Sequence, residues 1–99
     1  MLSVPSQVGI TVLFMDERKL LMRLAGGAVT NVAFADLCSL AEGLGFELRR
    51  VSGSHHVFAH PDIPQLINLQ AARGQAKPYQ VRQLLRLVER YDLRLEDKP

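Results

Sequence analysis

One stretch decides how this chain folds: GSHHVFAHPD, at residues 53–62. Ser52 and Gly53 carry the chemistry of a tight turn, and the residues that follow them predict a strand over 55–60. Residues 46–49 alternate apolar and charged side chains, which is the period of a half-buried strand. The sequence therefore predicts an antiparallel hairpin. Its second strand holds all three histidines of the chain, and histidine is the side chain that titrates closest to neutral pH.

The chain after the hairpin supplies a third strand and a helix. Prolines at positions 61 and 64 mark a second turn, and residues 65–70 predict a third strand of a three-stranded antiparallel sheet. Residues 73–77 are predicted to form a loop. Pro78 then stands at the tolerated first position of a helix that runs to Tyr91, whose buried stripe consists of Val81, Leu84, Leu85 and Val88.

Two helices are predicted before the hairpin. The first runs from Asp16 to Ala25 and ends at the glycine pair 26–27; its apolar stripe is Leu20, Leu21 and Leu24. The second takes Asn31 as its N-cap and turns one face to the core, through Phe34, Leu37, Leu40, Ala41 and Leu44. The element order is α-α-β-β-β-α, an α+β fold with the helices on one face of the sheet.

Composition limits the protein to one small domain. A chain of 99 residues with 47% apolar content builds a single core, and its net charge of +2 with a pI near 9.0 gives only a modest bias toward nucleic acid. Cys38 is the only cysteine, which excludes an intrachain disulfide and favours a reducing compartment, the cytoplasm. The apolar run at 8–14 is shorter than the ~20 residues of a membrane span, so no membrane partner is expected.

Three sets of residues resemble one known family. They are LGF at 44–46, RVSGSHHVFAHP at 50–61, and Lys77-Pro78 ahead of RQLL at 82–85. Together they resemble the HicA toxins of prokaryotic toxin-antitoxin pairs, over Phe34 to roughly Leu95. The resemblance implies a double-stranded-RNA-binding-like α-β-β-β-α fold, cleavage of mRNA, and inhibition by a HicB-like antitoxin. It also implies that the histidine of the Gly-Ser-His motif, His55, is catalytic.

The resemblance and the helix pattern divide the chain into three parts. Residues 31–99 are predicted to be the HicA-like domain, and residues 15–30 a short accessory helix with its linker. Residues 1–14 are predicted to be a disordered extension, or to lie upstream of a true start at Met15, since an acid-first helix follows that methionine. The third strand carries NLQ at 68–70, where many family members have a Pro-x-His pattern.

Alternation along the strand separates the histidines. His55 shares a face with Val57, whereas His56 and His60 share the other face with Phe58, which we expect to lie under the helices. His55 is then exposed on the open face, where it can act as a general base or acid worth ~10² to 10⁴ in rate. The alternative is an exposed histidine with no function.

The other histidines and a metal site are weaker candidates. Ser54 and His56 are possible supporting residues, although a structural role is favoured for His56 and His60. A metal site is disfavoured because His56 and His60 lie about 13 Å apart along an extended strand, and no cofactor is expected. Cys38 is expected to fill space in the core.

Basic residues cluster near the last helix. Arg82, Arg86 and Arg90 recur every four residues and form one row on it, with Arg73 and Lys77 near its beginning. Phosphate is attracted to that end by backbone N–H groups and the helix dipole. We therefore expect Arg73, Lys77 and Arg82 to contact RNA, and Arg86 and Arg90 to belong to a solvated face.

Three functions remain open on sequence alone. The leading one is a metal-independent endoribonuclease that uses His55 on mRNA and is neutralised by an antitoxin. The alternative is a noncatalytic RNA-binding module of the same fold, which would recognise shape, phosphates and 2′-hydroxyls. The third is a protein that only binds an acidic regulator through its basic surface.

Overall fold

The computed structural model describes residues 16–95, so the predictions for residues 1–14 lie outside the described part of the chain. Its helices are α1 (Glu17–Ala25), α2 (Phe34–Gly43) and α3 (Pro78–Arg90), and its strands are β1 (Glu47–Ser52), β2 (His55–His60), β3 (Ile63–Ala72) and β4 (Gln75–Ala76). The strands form one antiparallel sheet in the order β1-β2-β3-β4. The α+β architecture predicted from the sequence is confirmed, with an additional short strand.

The fourth strand corrects the prediction of a loop over residues 73–77. Arg73 and Gly74 have φ angles of 54° and 78°, as in a type I′ turn, so β3 reverses directly into β4. Beyond β4, Ala33 forms a β-bridge to Gln75, and the backbone N–H of Phe34 donates to the carbonyl oxygen of Gly74 at 2.9 Å. The segment before α2 therefore extends the sheet at this edge.

This pairing also explains why Asn31 is not the N-cap of α2. The helix begins after Ala33, because the residues before it are held in extended conformation against β4. Asn31 itself has a φ of 58°, whereas an N-cap residue has β-region backbone. The helix nevertheless buries the predicted stripe, which consists of Phe34, Leu37, Leu40, Ala41 and Leu44.

One apolar core joins the helices to a single face of the sheet. Phe58, Ile67 and Leu69 of the sheet are almost fully buried, and they belong to the same cluster as Leu37 of α2 and Leu84 of α3. Burying a side chain of this size contributes ~1.5–3 kcal/mol. The other face of the sheet remains open. No helix within residues 16–95 is long and apolar enough to cross a membrane.

Strand β1 lies at the outer edge of the sheet. All six of its residues are exposed, including the large apolar side chains of Leu48 and Val51. Its pairing with β2 shifts between Leu48 and Arg50, so Arg49 forms a β-bulge. The guanidinium of Arg49 lies 3.9 Å from the carboxylate of Glu47.

Candidate active site

The β1–β2 turn presents His55 at the start of β2. Ser52 pairs with His55, which leaves Gly53 and Ser54 as a two-residue turn, and Gly53 has the positive φ of 59° that glycine tolerates best. His55 is exposed, and its Nδ1 lies 3.3 Å from Oδ1 of Asn68. An amide oxygen can only accept, so Nδ1 donates in this contact, and in the neutral ring Nε2 then carries the lone pair.

A second group of polar contacts lies beside His55. Gln70 is the partner of His55 across the β2–β3 pair, so the two side chains share the open face. The carboxamide of Gln70 donates from Nε2 to Ser54 Oγ at 3.3 Å and accepts from Lys77 Nζ at 2.8 Å. Gln70, which lies opposite His55, thus links the Lys77 ammonium to the Ser54 hydroxyl.

His56 points to the opposite face of the sheet from His55. Its ring packs edge-on against Phe34, with 4.9 Å between ring centroids. Its Nδ1 is buried and has no hydrogen-bond partner among the described residues. The structure therefore does not join His56 to His55, and its contacts are those of a packing residue.

His60 is buried and has partners for both ring nitrogens. Its Nε2 lies 3.1 Å from the carbonyl oxygen of Leu44, and its Nδ1 accepts the backbone N–H of Asp62 at 3.0 Å. The ring also contacts Phe46 edge-on at 5.0 Å. Because Nδ1 accepts, Nε2 carries the proton and donates to Leu44. These contacts tie the end of α2 to the β2–β3 turn.

The two predicted arginines lie farther from this group. Arg73 is exposed in the β3–β4 turn. Arg82 is exposed on α3, whose buried side is formed by Gln80, Val81, Leu84 and Leu87. Helical geometry places Arg82 about 160° from Leu84 around the axis, on the side away from the sheet. The structure links Lys77 through Gln70 to Ser54, the residue next to His55, but leaves Arg82 on the outer surface of α3.

The described residues show no other reactive cluster. Residues 16–95 contain no group of three His, Cys, Asp or Glu side chains arranged to hold a metal ion. Cys38 is partly buried in α2 against the core. Burial, together with the nearby Glu42 carboxylate, raises the pKa of its thiol to about 11, which keeps it protonated and unreactive at neutral pH.

Sequence reasoning missed three amides that build the site: Asn68, Gln70 and Gln80. The alternation of side chains along the strand could have indicated Asn68 and Gln70. Both lie on the open face, on either side of Leu69, which is buried on the opposite face. However, continuing the His60–Ile63 pairing would place Asn68 opposite His55. An irregularity between Phe58 and His60 shifts the register, so Gln70 takes that place.

The fold and the site together describe one class of protein. It is a small α+β domain with the double-stranded-RNA-binding-like order of elements, and it carries an exposed imidazole and a lysine on the face of its sheet that the helices leave open.

Comparison with known proteins then gives the family. Residues 34–89 match the family model described as the HicA toxin of bacterial toxin-antitoxin pairs, which covers more than half of the chain. The chain therefore belongs to the HicA toxin family, as the sequence motifs indicated. Helix α1 lies outside the matched region. No curated protein and no solved structure gives a significant match.

Proposed function

We propose that this protein is a toxin-type endoribonuclease that cleaves mRNA in the cytoplasm without a metal ion, and that a HicB-like antitoxin neutralises it. The observation that carries the proposal is the exposed imidazole of His55, which Asn68 orients through Nδ1. Membership of a toxin family of toxin-antitoxin pairs supports the toxin role and the existence of an antitoxin.

The chemistry needs one group that moves a proton, because RNA supplies its own nucleophile. Nε2 of His55 takes the proton of a 2′-hydroxyl as the 2′-oxygen forms a bond to phosphorus. The bond from phosphorus to the 5′-oxygen breaks, which leaves a 2′,3′-cyclic phosphate, and the 5′-oxygen takes a proton from water while His55 later returns its own proton to solvent. A well-placed general base or acid contributes ~10² to 10⁴ in rate.

Positive charge beside His55 supports the same reaction. The ammonium of Lys77 donates to the oxygen of the Gln70 carboxamide, and the nitrogen of the same group donates to Ser54, so one side chain links the cation to the turn that carries His55. A cation there stabilises the negative charge that develops on the phosphate in the transition state. Arg73 and Arg82 are proposed to contact flanking nucleotides. Ser54 is a supporting residue, and His56 supports the site only by packing under it.

The test is cleavage of a labelled RNA by His55→Ala in EDTA. We expect a loss of about 10² to 10⁴ in rate, with a thermal melt close to that of the parent protein because the side chain is exposed. Met22→Ala is the matched control, since Met22 is 74% exposed on α1, which lies outside the matched family region. Undiminished cleavage by His55→Ala would refute the assignment.

Two further results would separate the alternatives. RNA binding without cleavage by the parent protein, in EDTA and in magnesium, would support the noncatalytic RNA-binding module. For the antitoxin, we expect expression of the chain alone to arrest growth and co-expression of a HicB-like neighbour to restore it. Arrest that requires neither His55 nor RNA cleavage would indicate a toxin with another target.

A further inference from the structure

Gln70 joins the beginning of α3 to the turn that carries His55. Its carboxamide oxygen accepts from Lys77 Nζ at 2.8 Å, and its carboxamide nitrogen donates to Ser54 Oγ at 3.3 Å. One planar group therefore fixes the relative position of the lysine ammonium and the residue next to His55.

A buried side chain holds Gln70 itself in place. The backbone N–H of Ala71 donates to the carbonyl oxygen of Ser54 on the β2 side, so the N–H of Gln70 points the other way, beyond the end of β4 at Ala76. Oε1 of Gln80, which is only 5% exposed, accepts that N–H at 2.7 Å. The amide of Gln80 thus replaces the missing strand partner, and leaving this N–H unpaired would cost ~1–3 kcal/mol.

Lys77 has capacity left for a ligand. An ammonium has three donors, and the Gln70 oxygen uses one of them. The ion pairs formed among the described residues do not include Lys77. A lysine side chain normally samples many rotamers, and holding its end in one position lowers the entropy that is lost when an anion binds.

We propose that Gln70 is a positioning residue that holds the Lys77 ammonium beside His55, so that the two side chains flank one phosphodiester of single-stranded RNA. This inference rests on the proposed function, and it names the groups that hold the phosphate at the reacting position. The ligand is an RNA phosphate, because the group combines a cation with neutral donors and acceptors on an open face.

Binding can be tested without cleavage, in the His55→Ala background. The affinity of a short single-stranded oligoribonucleotide is measured over a series of salt concentrations. Lys77→Ala should lower the slope of log affinity against log salt by about 0.7, the value for one lost phosphate contact on a single strand. Gln70→Glu should lower it equally, because the new carboxylate pairs with Lys77. Gln70→Met, a matched neutral variant, should weaken binding and keep the slope.

Cleavage by the protein with His55 intact supplies the readout for positioning. Gln70→Met should lower kcat by about tenfold with a smaller change in KM, since it displaces a group that acts in the transition state. In a Lys77→Ala background the same substitution should have no further effect, because Gln70 acts through Lys77. Ser54→Ala, which removes the other contact of the carboxamide, replaces Gln70→Met if that variant melts early.

Several outcomes overturn the inference. Equal salt slopes for Gln70→Glu and Gln70→Met would show that the side chain at position 70 does not contact the Lys77 ammonium. An unchanged slope for Lys77→Ala would remove the phosphate contact, and a loss of antitoxin binding alone would assign Lys77 to a protein partner. RNA cleavage by His55→Ala would instead refute the assignment of His55 as the general acid or base. The salt slopes would still decide the role of Gln70.

Discussion

Gly45 lies so close to His60 that a single methyl group should break the link between α2 and the β2–β3 turn. Gly45 has a φ of 100°, and a Cβ built on it would lie 2.8 Å from His60 Nε2. The same nitrogen donates to the carbonyl oxygen of Leu44 at 3.1 Å. Gly45→Ala must therefore displace the ring as well as strain the backbone.

Gly27 is the matched control for this substitution. Its φ of 103° is almost the same, but a Cβ built on Gly27 has no atom within 4 Å. Both alanine variants carry a backbone cost of about 1–2 kcal/mol for positive φ. Only Gly45→Ala adds the loss of a buried hydrogen bond, about 1–3 kcal/mol. The difference should lower the melting temperature of Gly45→Ala by at least about 4 °C relative to Gly27→Ala.

Thermal and urea unfolding of both variants measure this difference. A third variant, Gly45→Ala with His60→Ala, removes the ring that the methyl group meets. Its loss of stability should be smaller than the sum of the two single losses, because the clash disappears with the ring. Equal melting temperatures for Gly45→Ala and Gly27→Ala would refute the reasoning, and additive losses in the double variant would do so independently.

Three further predictions concern single buried or half-buried side chains. Gln80→Leu should destabilise the fold by about 1–3 kcal/mol in urea unfolding, since it leaves the N–H of Gln70 unpaired; a neutral result would contradict the role of this amide. His56→Leu should be neutral or stabilising by about 1 kcal/mol, because it removes a buried nitrogen without a partner among the described residues, and a loss would reveal a missing contact. Iodoacetamide should modify Cys38 roughly 100-fold more slowly than a thiol of ordinary pKa at pH 8, and faster in Glu42→Gln. Because folding raises the pKa of this thiol, its contribution to stability is complete below pH 9 and is lost as the pH rises toward 11; equal alkylation rates in the native and unfolded chain would exclude the shift.

The hairpin and the helix stripes could be predicted because each depends on local sequence. Strand β2 begins at His55 and ends at His60, which are the bounds that the turn residues on either side of it predicted. Helix α1 ends at Ala25 and has Gly26 as its C-cap, as the glycine pair indicated. The exposure of His55 also followed, since the alternation places Phe58 on the opposite face and only one face is covered.

The parts that sequence did not predict depend on contacts between distant residues. Strand β4 has two residues, and its turn begins with an arginine at positive φ, which is not a preferred hairpin residue. Gln70 lies opposite His55 only because of an irregularity in the β2–β3 pairing, which no local pattern reveals. The contact between Gln70 and Lys77 requires the end of β4 to return the chain to the sheet.

The bulged outer strand β1 has a consequence for how copies of this protein meet. The unpaired N–H and C=O groups of an edge strand can pair with a strand of another chain, and such pairing leads to aggregation. Here the bulge at Arg49 interrupts the row of backbone donors and acceptors with which another strand would pair. Concentrated protein should therefore resist edge-to-edge sheet growth at β1.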